Sequence, residues 1–245
     1  MDWMLRWRRG ALSGAWSSIS TGGVLVLGMA ALSELAGWRY SCTTRGGAPM
    51  GGRCGACNGE HLMKPLNIAV VVGSIRKDSY NRQFAQALVK LLPADVQAHF
   101  IRIDDLPLYN QDSDGAPPVP AVARLRDEVA AADGVLFVTA EYNRSIPGVL
   151  KNAIDQASRP WGQSKWAGKP AAVAGVSIGA IGTAVAQAHL RSVLGFLAMP
   201  ELGQPEMYLT WKEGLVVDGE IGPASREHVQ KFVDAFVGWV RQHVG

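Results

Sequence analysis

The chain has 245 residues, 48% of them hydrophobic, with 24 basic and 21 acidic side chains and a formal net charge of +3. That length allows one large domain or one ordinary domain with an extension, and the charge distribution selects the second. Residues 1 to 62 carry six Arg and three acids while the rest holds 18 basic and 18 acidic side chains, so the body of the chain offers no concentrated basic face for nucleic acid.

The front segment also holds all three cysteines, Cys42, Cys54 and Cys57, and four of the eight Trp. Cys54-x-x-Cys57 has no second matched pair, which a tetrahedral zinc site needs, and reads as an incidental pair in a glycine-rich stretch. Val24 to Ala36 is apolar for about thirteen residues, short of the roughly 20 of a membrane span. Arg6, Arg8 and Arg9 precede it, but the intervening Gly10 to Gly23 is polar and no cleavage box follows, which argues against export and for the cytoplasm. Met63, three residues ahead of the first strand, is the expected functional start. Residues 1–62 are then a disordered leader or start-site extension, and residues 63–245 form the domain.

From Leu66 onward strand and helix patterns alternate, the mark of a parallel α/β sheet covered on both faces. Five strands are expected: Leu66 to Val72, Val96 to Ile103, Gly134 to Thr139, Pro170 to Ser177 and a weaker one over Gln204 to Leu209. Helices are expected at Asn81 to Leu92, Val119 to Ala132, Gly148 to Ala157, Thr183 to Leu197 and Ser225 to His243, with Pro147 and Pro223 at helix starts. The first, third and fourth strands are nearly continuous apolar runs, as central parallel strands are. The second alternates Gln97, His99 and Arg102 with apolar residues and suits an edge. This agrees with a doubly wound, flavodoxin-like order 2-1-3-4-5, with a ligand crevice at the carboxyl ends of the first and third strands.

The first strand runs into Gly73-Ser74-Ile75-Arg76-Lys77-Asp78-Ser79-Tyr80-Asn81. A buried strand, a small-residue loop and a helix start place unpaired N–H groups at one point. Ser74, Ser79 and Asn81 add neutral donors and Arg76 a permanent cation. Neither a P-loop pattern nor a dinucleotide Gly-x-Gly-x-x-Gly follows the strand, so the loop suits one monoester phosphate without a metal.

This Gly-Ser-x-Arg-x-x-Ser-x-Asn loop resembles the phosphate loop of the NADPH-dependent FMN reductase family, which includes bacterial quinone, chromate and azo-dye reductases. A longer match follows the third strand. Thr139-Ala140-Glu141-Tyr142-Asn143-Arg144-Ser145-Ile146-Pro147-Gly148-Val149-Leu150-Lys151-Asn152-Ala153-Ile154-Asp155 is similar to the family's Pro-Glu-Tyr-Asn-x-Ser-x-Pro-Gly-x-Leu-Lys-Asn-Ala-x-Asp signature. Ser177-Ile178-Gly179-Ala180-Ile181-Gly182-Thr183 resembles its glycine-rich loop after the fourth strand. The resemblance spans Leu66 to Met207, with Ala140 in place of the family's Pro and Thr183 where a second Gly is common.

The resemblance implies an FMN site made of Ser74, Arg76, Ser79 and Asn81 at the phosphate and Glu141, Tyr142, Asn143, Ser145, Ser177 and Gly179 toward the ring and ribityl chain. It implies an NADPH or NADH co-substrate, ping-pong reduction of quinones, flavin, chromate or azo compounds, and a homodimer or homotetramer. No catalytic side chain is required, because the cofactor carries the redox chemistry. A flavodoxin-type carrier and a flavin-binding regulatory protein are the alternatives.

Other polar residues read structurally. Glu141 is as suited to pairing with a helix as to touching flavin, and Arg144 to solvent or an interface as to a nucleotide phosphate. Lys151, Asn152 and Asp155 lie at helical spacing. His99, His189 and His228 lack partners for acid–base work, and Asp104, Asp105, Asp112 and Asp114 read as solvated loop carboxylates rather than a metal cluster.

Overall fold

The computed structural model describes residues 65 to 244. The leader over residues 1–62, its cysteines and Met63 lie outside the described residues. Five parallel strands form one sheet in the order β2-β1-β3-β4-β5: β1 Leu66–Gly73, β2 Val96–Ile101, β3 Gly134–Thr139, β4 Ala171–Ser177 and β5 Met207–Thr210. The helices are α1 Tyr80–Val89, α2 Pro120–Ala131, α3 Gly148–Ala157, α4 Ala184–Phe196 and α5 Pro223–Val244. Among the described residues no helix is long and apolar enough to cross a membrane.

The period of two along each strand divides the core into two layers. Leu66, Ile68, Val70 and Val72 of β1 and Leu136 and Val138 of β3 pack with Phe84 and Leu88 of α1 and Phe232 and Phe236 of α5. Ala69 and Val71 of β1 and Val135 and Phe137 of β3 face the other way. They pack with Leu125 and Val129 of α2, Leu150 and Ile154 of α3, and Leu190 and Leu194 of α4. Both faces being covered, β1 and β3 are apolar at nearly every position, Asn67 and Thr139 being the polar exceptions, and each fully buried aliphatic or aromatic side chain contributes about 1.5–3 kcal/mol. β2 lies at the sheet edge, with Gln97 exposed.

Some expected boundaries move. β2 stops at Ile101 instead of Ile103. β4 begins at Ala171, because Pro170 has no N–H and joins the ladder only through its carbonyl, which accepts from the Val135 N–H at 2.9 Å. β5 begins at Met207 instead of Gln204, after a cis Gln204–Pro205 bond. A short antiparallel ribbon, β6 Val216–Val217 with β7 Glu220–Ile221, was not among the expected elements. Its turn residues Asp218 and Gly219 have φ of 51° and 73°, the left-handed pair that an Asp-Gly hairpin favours.

Candidate functional site

The loops that leave β1, β3 and β4 meet at the carboxyl edge of the sheet and wall a cleft of about 320 Å³. Ser74, Arg76, Ser79, Tyr80 and Asn81 line it from the first loop, Ala140, Glu141 and Tyr142 from the second, and Val176, Ser177 and Ile178 from the third. Two glycines let the strand ends approach. A Cβ on Gly73 would lie 2.8 Å from Leu150 Cδ2, and one on Gly175 would lie 2.3 Å from the Thr139 carbonyl and 2.4 Å from Thr183 Oγ1. A larger cavity of about 590 Å³, bordered by Trp161 and Phe196 between the carboxyl ends of α3 and α4, contains none of the loop residues.

The first loop presents donors. Its N–H groups at Ile75, Arg76, Lys77 and Asp78 make no hydrogen bond among the described residues. Ser79 closes the loop: its N–H donates to the Arg76 carbonyl, and its Oγ caps α1 by accepting from the Arg82 N–H, each at 3.2 Å. That leaves the Ser79 O–H as a donor, as a neutral hydroxyl both accepts and donates. Ser74 and Ser79 are buried, at 5% and 2% exposure, yet border the cleft. The Arg76 guanidinium donates to the Asp78 carbonyl and lies 4.7 Å from the centroid of Tyr80. Tyr80 is stacked in turn on Trp211, with centroids 4.5 Å apart and planes at 21°.

Asn81, which lines the cleft, also joins two elements. Its amide pairs reciprocally with the backbone of Val176, Nδ2 donating to the carbonyl and Oδ1 accepting from the N–H, both at 2.9 Å. The buried amide thus pins the start of α1 to β4.

The second loop is a tight hairpin. Tyr142 and Ser145 exchange two backbone hydrogen bonds of 3.0 Å across Asn143 and Arg144, whose φ of 51° and 65° mark a type I′ turn. Tyr142 is 51% exposed beside the cleft, while Asn143 and Ser145 lie outside its walls. The Ser145 hydroxyl meets His189 Nδ1 of α4 at 3.1 Å, giving that histidine a partner that its sequence position does not reveal. The N–H of Ala140, the residue that replaces the family's Pro, donates to the Gly73 carbonyl at 3.5 Å, a contact that Pro could not make.

Glu141 joins the second loop to the third. Its Oε2 accepts from the N–H groups of Val185 and Ala186, at 3.1 and 3.0 Å, and so caps α4 from a remote loop. Thr183, the residue in cap position, makes no side-chain cap because its hydroxyl sits against Gly175 and accepts from Gln187 Nε2 at 2.9 Å. Arg144 contacts Glu141 Oε1 at 3.3 Å with 68% of its side chain exposed.

The third loop is held mainly by its own contacts. The Ser177 hydroxyl donates to the Gly182 carbonyl and accepts from the Gly179 N–H at 3.2 Å. Gly182, at φ 60°, has no room for a Cβ, which would lie 2.9 Å from the Tyr208 carbonyl carbon. Thr210 at the end of β5 shares its Oγ1 between the Gly179 and Ala180 carbonyls, at 3.3 and 3.4 Å.

The long-loop carboxylates do not converge. Asp104 and Asp105 pair with Arg102 and Arg124, Asp112 pairs with Asn110, and Asp114 accepts from the Tyr109 hydroxyl. Lys151 and Asp155 form an i,i+4 ion pair of 2.8 Å on α3, and Asn152 holds the Pro107 and Tyr109 backbone. Sequence reasoning missed Tyr80 and Trp211, which meet across 131 positions and share no local pattern.

Residues 66–212 match the model of the family described as NADPH-dependent FMN reductase. The chain is 53% identical over 179 residues to a 2-hydroxy-1,4-benzoquinone reductase of a Burkholderia species, covering 72% of this chain and 97% of that protein. It is 40% identical over 183 residues to an NAD(P)H-dependent FMN reductase of Pseudomonas aeruginosa, covering 72% and 96%. Among solved structures it is similar to FerB, a flavoenzyme NAD(P)H:(acceptor) oxidoreductase from Paracoccus denitrificans, with a TM-score of 0.70, 44% identity and coverage of 73% and 98%. With the loops of three of the five strands contributing to one cleft and the match running through all three, the chain belongs to the NADPH-dependent FMN reductase family.

Proposed function

We propose that the protein oxidises NADPH or NADH and reduces a quinone to the quinol, with FMN as its resident cofactor: NAD(P)H, a proton and the quinone give NAD(P)⁺ and the quinol. The observation that carries this reading is the single cleft built from three loops whose donors suit the two ends of FMN. At one end, Arg76, the hydroxyls of Ser74 and Ser79, and the unpaired N–H groups from Ile75 to Asp78 match a phosphate monoester. At the other, Tyr142 gives an aromatic wall, and the N–H groups of Ile178, Ala180 and Ile181, which make no hydrogen bond among the described residues, suit the acceptors of a pyrimidine edge. The residues therefore fit the cofactor. When bound, FMN supplies the two-electron chemistry, which no side chain here provides.

The chain's own residues bind and orient. Arg76 and the first loop fix the phosphate, and Asn81 holds that loop against β4. Glu141 keeps the second loop and α4 in register, while Ser177 and Gly179 shape the third loop. The Asn143–Arg144 turn sets Tyr142 at the cleft. Flavin, chromate and azo compounds are further acceptors of the same proposal. Since NAD(P)H is an intracellular reductant, the reading places the protein in the cytoplasm.

A homo-oligomer belongs to the same proposal. Trp161 and Phe196 are 73% and 74% exposed beside the larger cavity, an apolar pair that a second copy would cover. Sedimentation of the Trp161→Ser, Phe196→Ser double variant as a monomer, against a larger wild-type species, checks this point.

Anaerobic mixing tests the function. NADPH or NADH should bleach the oxidised flavin of the holoprotein with no acceptor present, and a quinone added afterwards should restore it. Steady-state lines at several quinone concentrations should be parallel. If neither nicotinamide bleaches the flavin while an external reductase does, the protein is an electron carrier and the proposal fails.

A further inference from the structure

We infer that Trp211, outside the cleft wall and at the end of β5, is a positioning residue for FMN phosphate recognition, acting through Tyr80 on the Arg76 guanidinium. The inference rests on the reading of the first loop as the phosphate site.

Three observations carry it. The Arg76 side chain has no carboxylate partner among the described residues: its contacts are the Asp78 carbonyl and the Tyr80 ring at 4.7 Å. Its position therefore depends on an aromatic face, to which a guanidinium is held by the ring quadrupole and by planar stacking. An ion pair would hold the arginine too, but would also neutralise the charge needed for an anion. Stacking keeps the charge available.

Tyr80 cannot serve as a fixed platform alone, because it is the first residue of α1 and is only partly buried. Trp211 supplies the support, its ring stacked on the phenol at 4.5 Å and 21°. The backbone of the tryptophan is fixed, its main-chain N–H donating to the Ser177 carbonyl at 2.7 Å, and its side chain packs against the core layer that holds Phe84 and Phe232. The neighbouring Thr210 hydroxyl bonds the Gly179 and Ala180 carbonyls. Two adjacent residues at the end of β5 thus steady two different loops: Thr210 the third, Trp211 the first. The end of β5, outside the cleft walls, thereby determines where Arg76, a cation of the cleft wall, stands.

Riboflavin, which lacks the phosphate, separates positioning from general support of the fold. Apoprotein variants Trp211→Leu, Trp211→Phe and Tyr80→Leu are titrated with FMN and with riboflavin by flavin fluorescence, each alone and with Arg76→Ala. Trp211→Leu should weaken FMN by roughly three- to tenfold, the scale of a lost cation–aromatic arrangement, and leave riboflavin unchanged. Trp211→Phe should restore most of the FMN affinity. In the Arg76→Ala background Trp211→Leu should have no further effect, because the tryptophan acts only through the arginine. Tyr80→Leu should reproduce the selective loss should Trp211→Leu fail to fold. Equal losses for both flavins, no loss for either, or an additive effect with Arg76→Ala would each overturn the inference. If Arg76→Ala itself fails to separate FMN from riboflavin, the phosphate reading falls first. If Arg76→Ala separates them and Trp211→Leu does not, only the role of the tryptophan falls.

Discussion

The first loop and the pair formed by the second and third loops are built on opposite plans. In the first, the backbone N–H groups from Ile75 to Asp78 make no hydrogen bond among the described residues, and Arg76, which lines the cleft, has no carboxylate partner among them. In the other two, polar groups are engaged with each other: Glu141 with α4, Ser177 with Gly179 and Gly182, and Tyr142 with Ser145. The difference teaches that, on the proposed reading, the residues of the three loops divide into those that would meet a ligand and those that give the meeting place its shape. An open, dipolar loop suits a charged, mobile phosphate, whereas a planar ring needs a rigid floor.

The sharpest way to break the comparison is at the floor. Gly175→Ala places a methyl group against the Thr139 carbonyl, which cannot yield without moving the end of β3, and against Thr183 Oγ1 at the start of α4. Overpacking of this kind destabilises by about 1–3 kcal/mol or more. With about 2–4 °C per kcal/mol for a domain of this size, the melting temperature should fall by several degrees and flavin content should drop. An unchanged melting curve would mean that β3 and β4 separate freely there.

At the open loop the effect should be on ligand and not on fold. Arg76→Ala removes an exposed cation, so the apoprotein melting temperature should hold. A charge-assisted hydrogen bond contributes about 1.5–3 kcal/mol, and FMN affinity should fall by more than about tenfold in a fluorescence titration.

Glu141→Ala tests the intermediate case, a carboxylate beside the cleft that caps a helix. Loss of a cap typically removes about 0.5–2 kcal/mol, and both stability and flavin affinity should decline, with Glu141→Gln retaining most of the acceptor function. If flavin affinity falls while stability does not, Glu141 serves the ligand directly and belongs with the first loop.

The smallest effect should be a gain. Arg144 has φ 65°, and a left-handed non-glycine residue is strained by about 1–2 kcal/mol, partly offset in Arg144→Gly by the greater chain entropy of glycine. Its ion pair with Glu141 is exposed and contributes little. Arg144→Gly should therefore raise the melting temperature slightly and leave FMN affinity as it is. A loss of NADPH turnover in this variant would assign Arg144 to the nicotinamide nucleotide.

What was legible in the sequence follows the same division. Nearly continuous apolar runs at Leu66 to Val72 and Gly134 to Thr139 reveal central strands, because burial on both faces leaves few polar positions. The Gly73 to Asn81 loop reveals a strand-to-helix turn from contiguous residues. Long-range assignments were less accessible. That Glu141 caps α4, that Asn81 meets Val176 and that Tyr80 meets Trp211 depend on which strands become neighbours, and residue type alone allowed each of them a ligand role or none. Thr183 illustrates the limit, since a threonine before a helix normally caps it. Here the packing against Gly175 and the bond from Gln187 turn its hydroxyl elsewhere. The Asp218-Gly219 signal for the small ribbon was present but brackets strands of only two residues each.

The Asn81–Val176 pair sets an order of events during synthesis. On a ribosome, β1, its loop and α1 emerge well before β4, and α1 can already lay Phe84 and Leu88 against the first strand. Its amide still lacks its partner, 95 positions downstream. Contacts of such separation form only after the intervening chain has closed a long loop. A nascent chain halted before β4 therefore carries the Gly73 to Asn81 loop complete in sequence but without its bond to Val176, and on the proposed reading capture of the nucleotide would be a late checkpoint on the whole sheet.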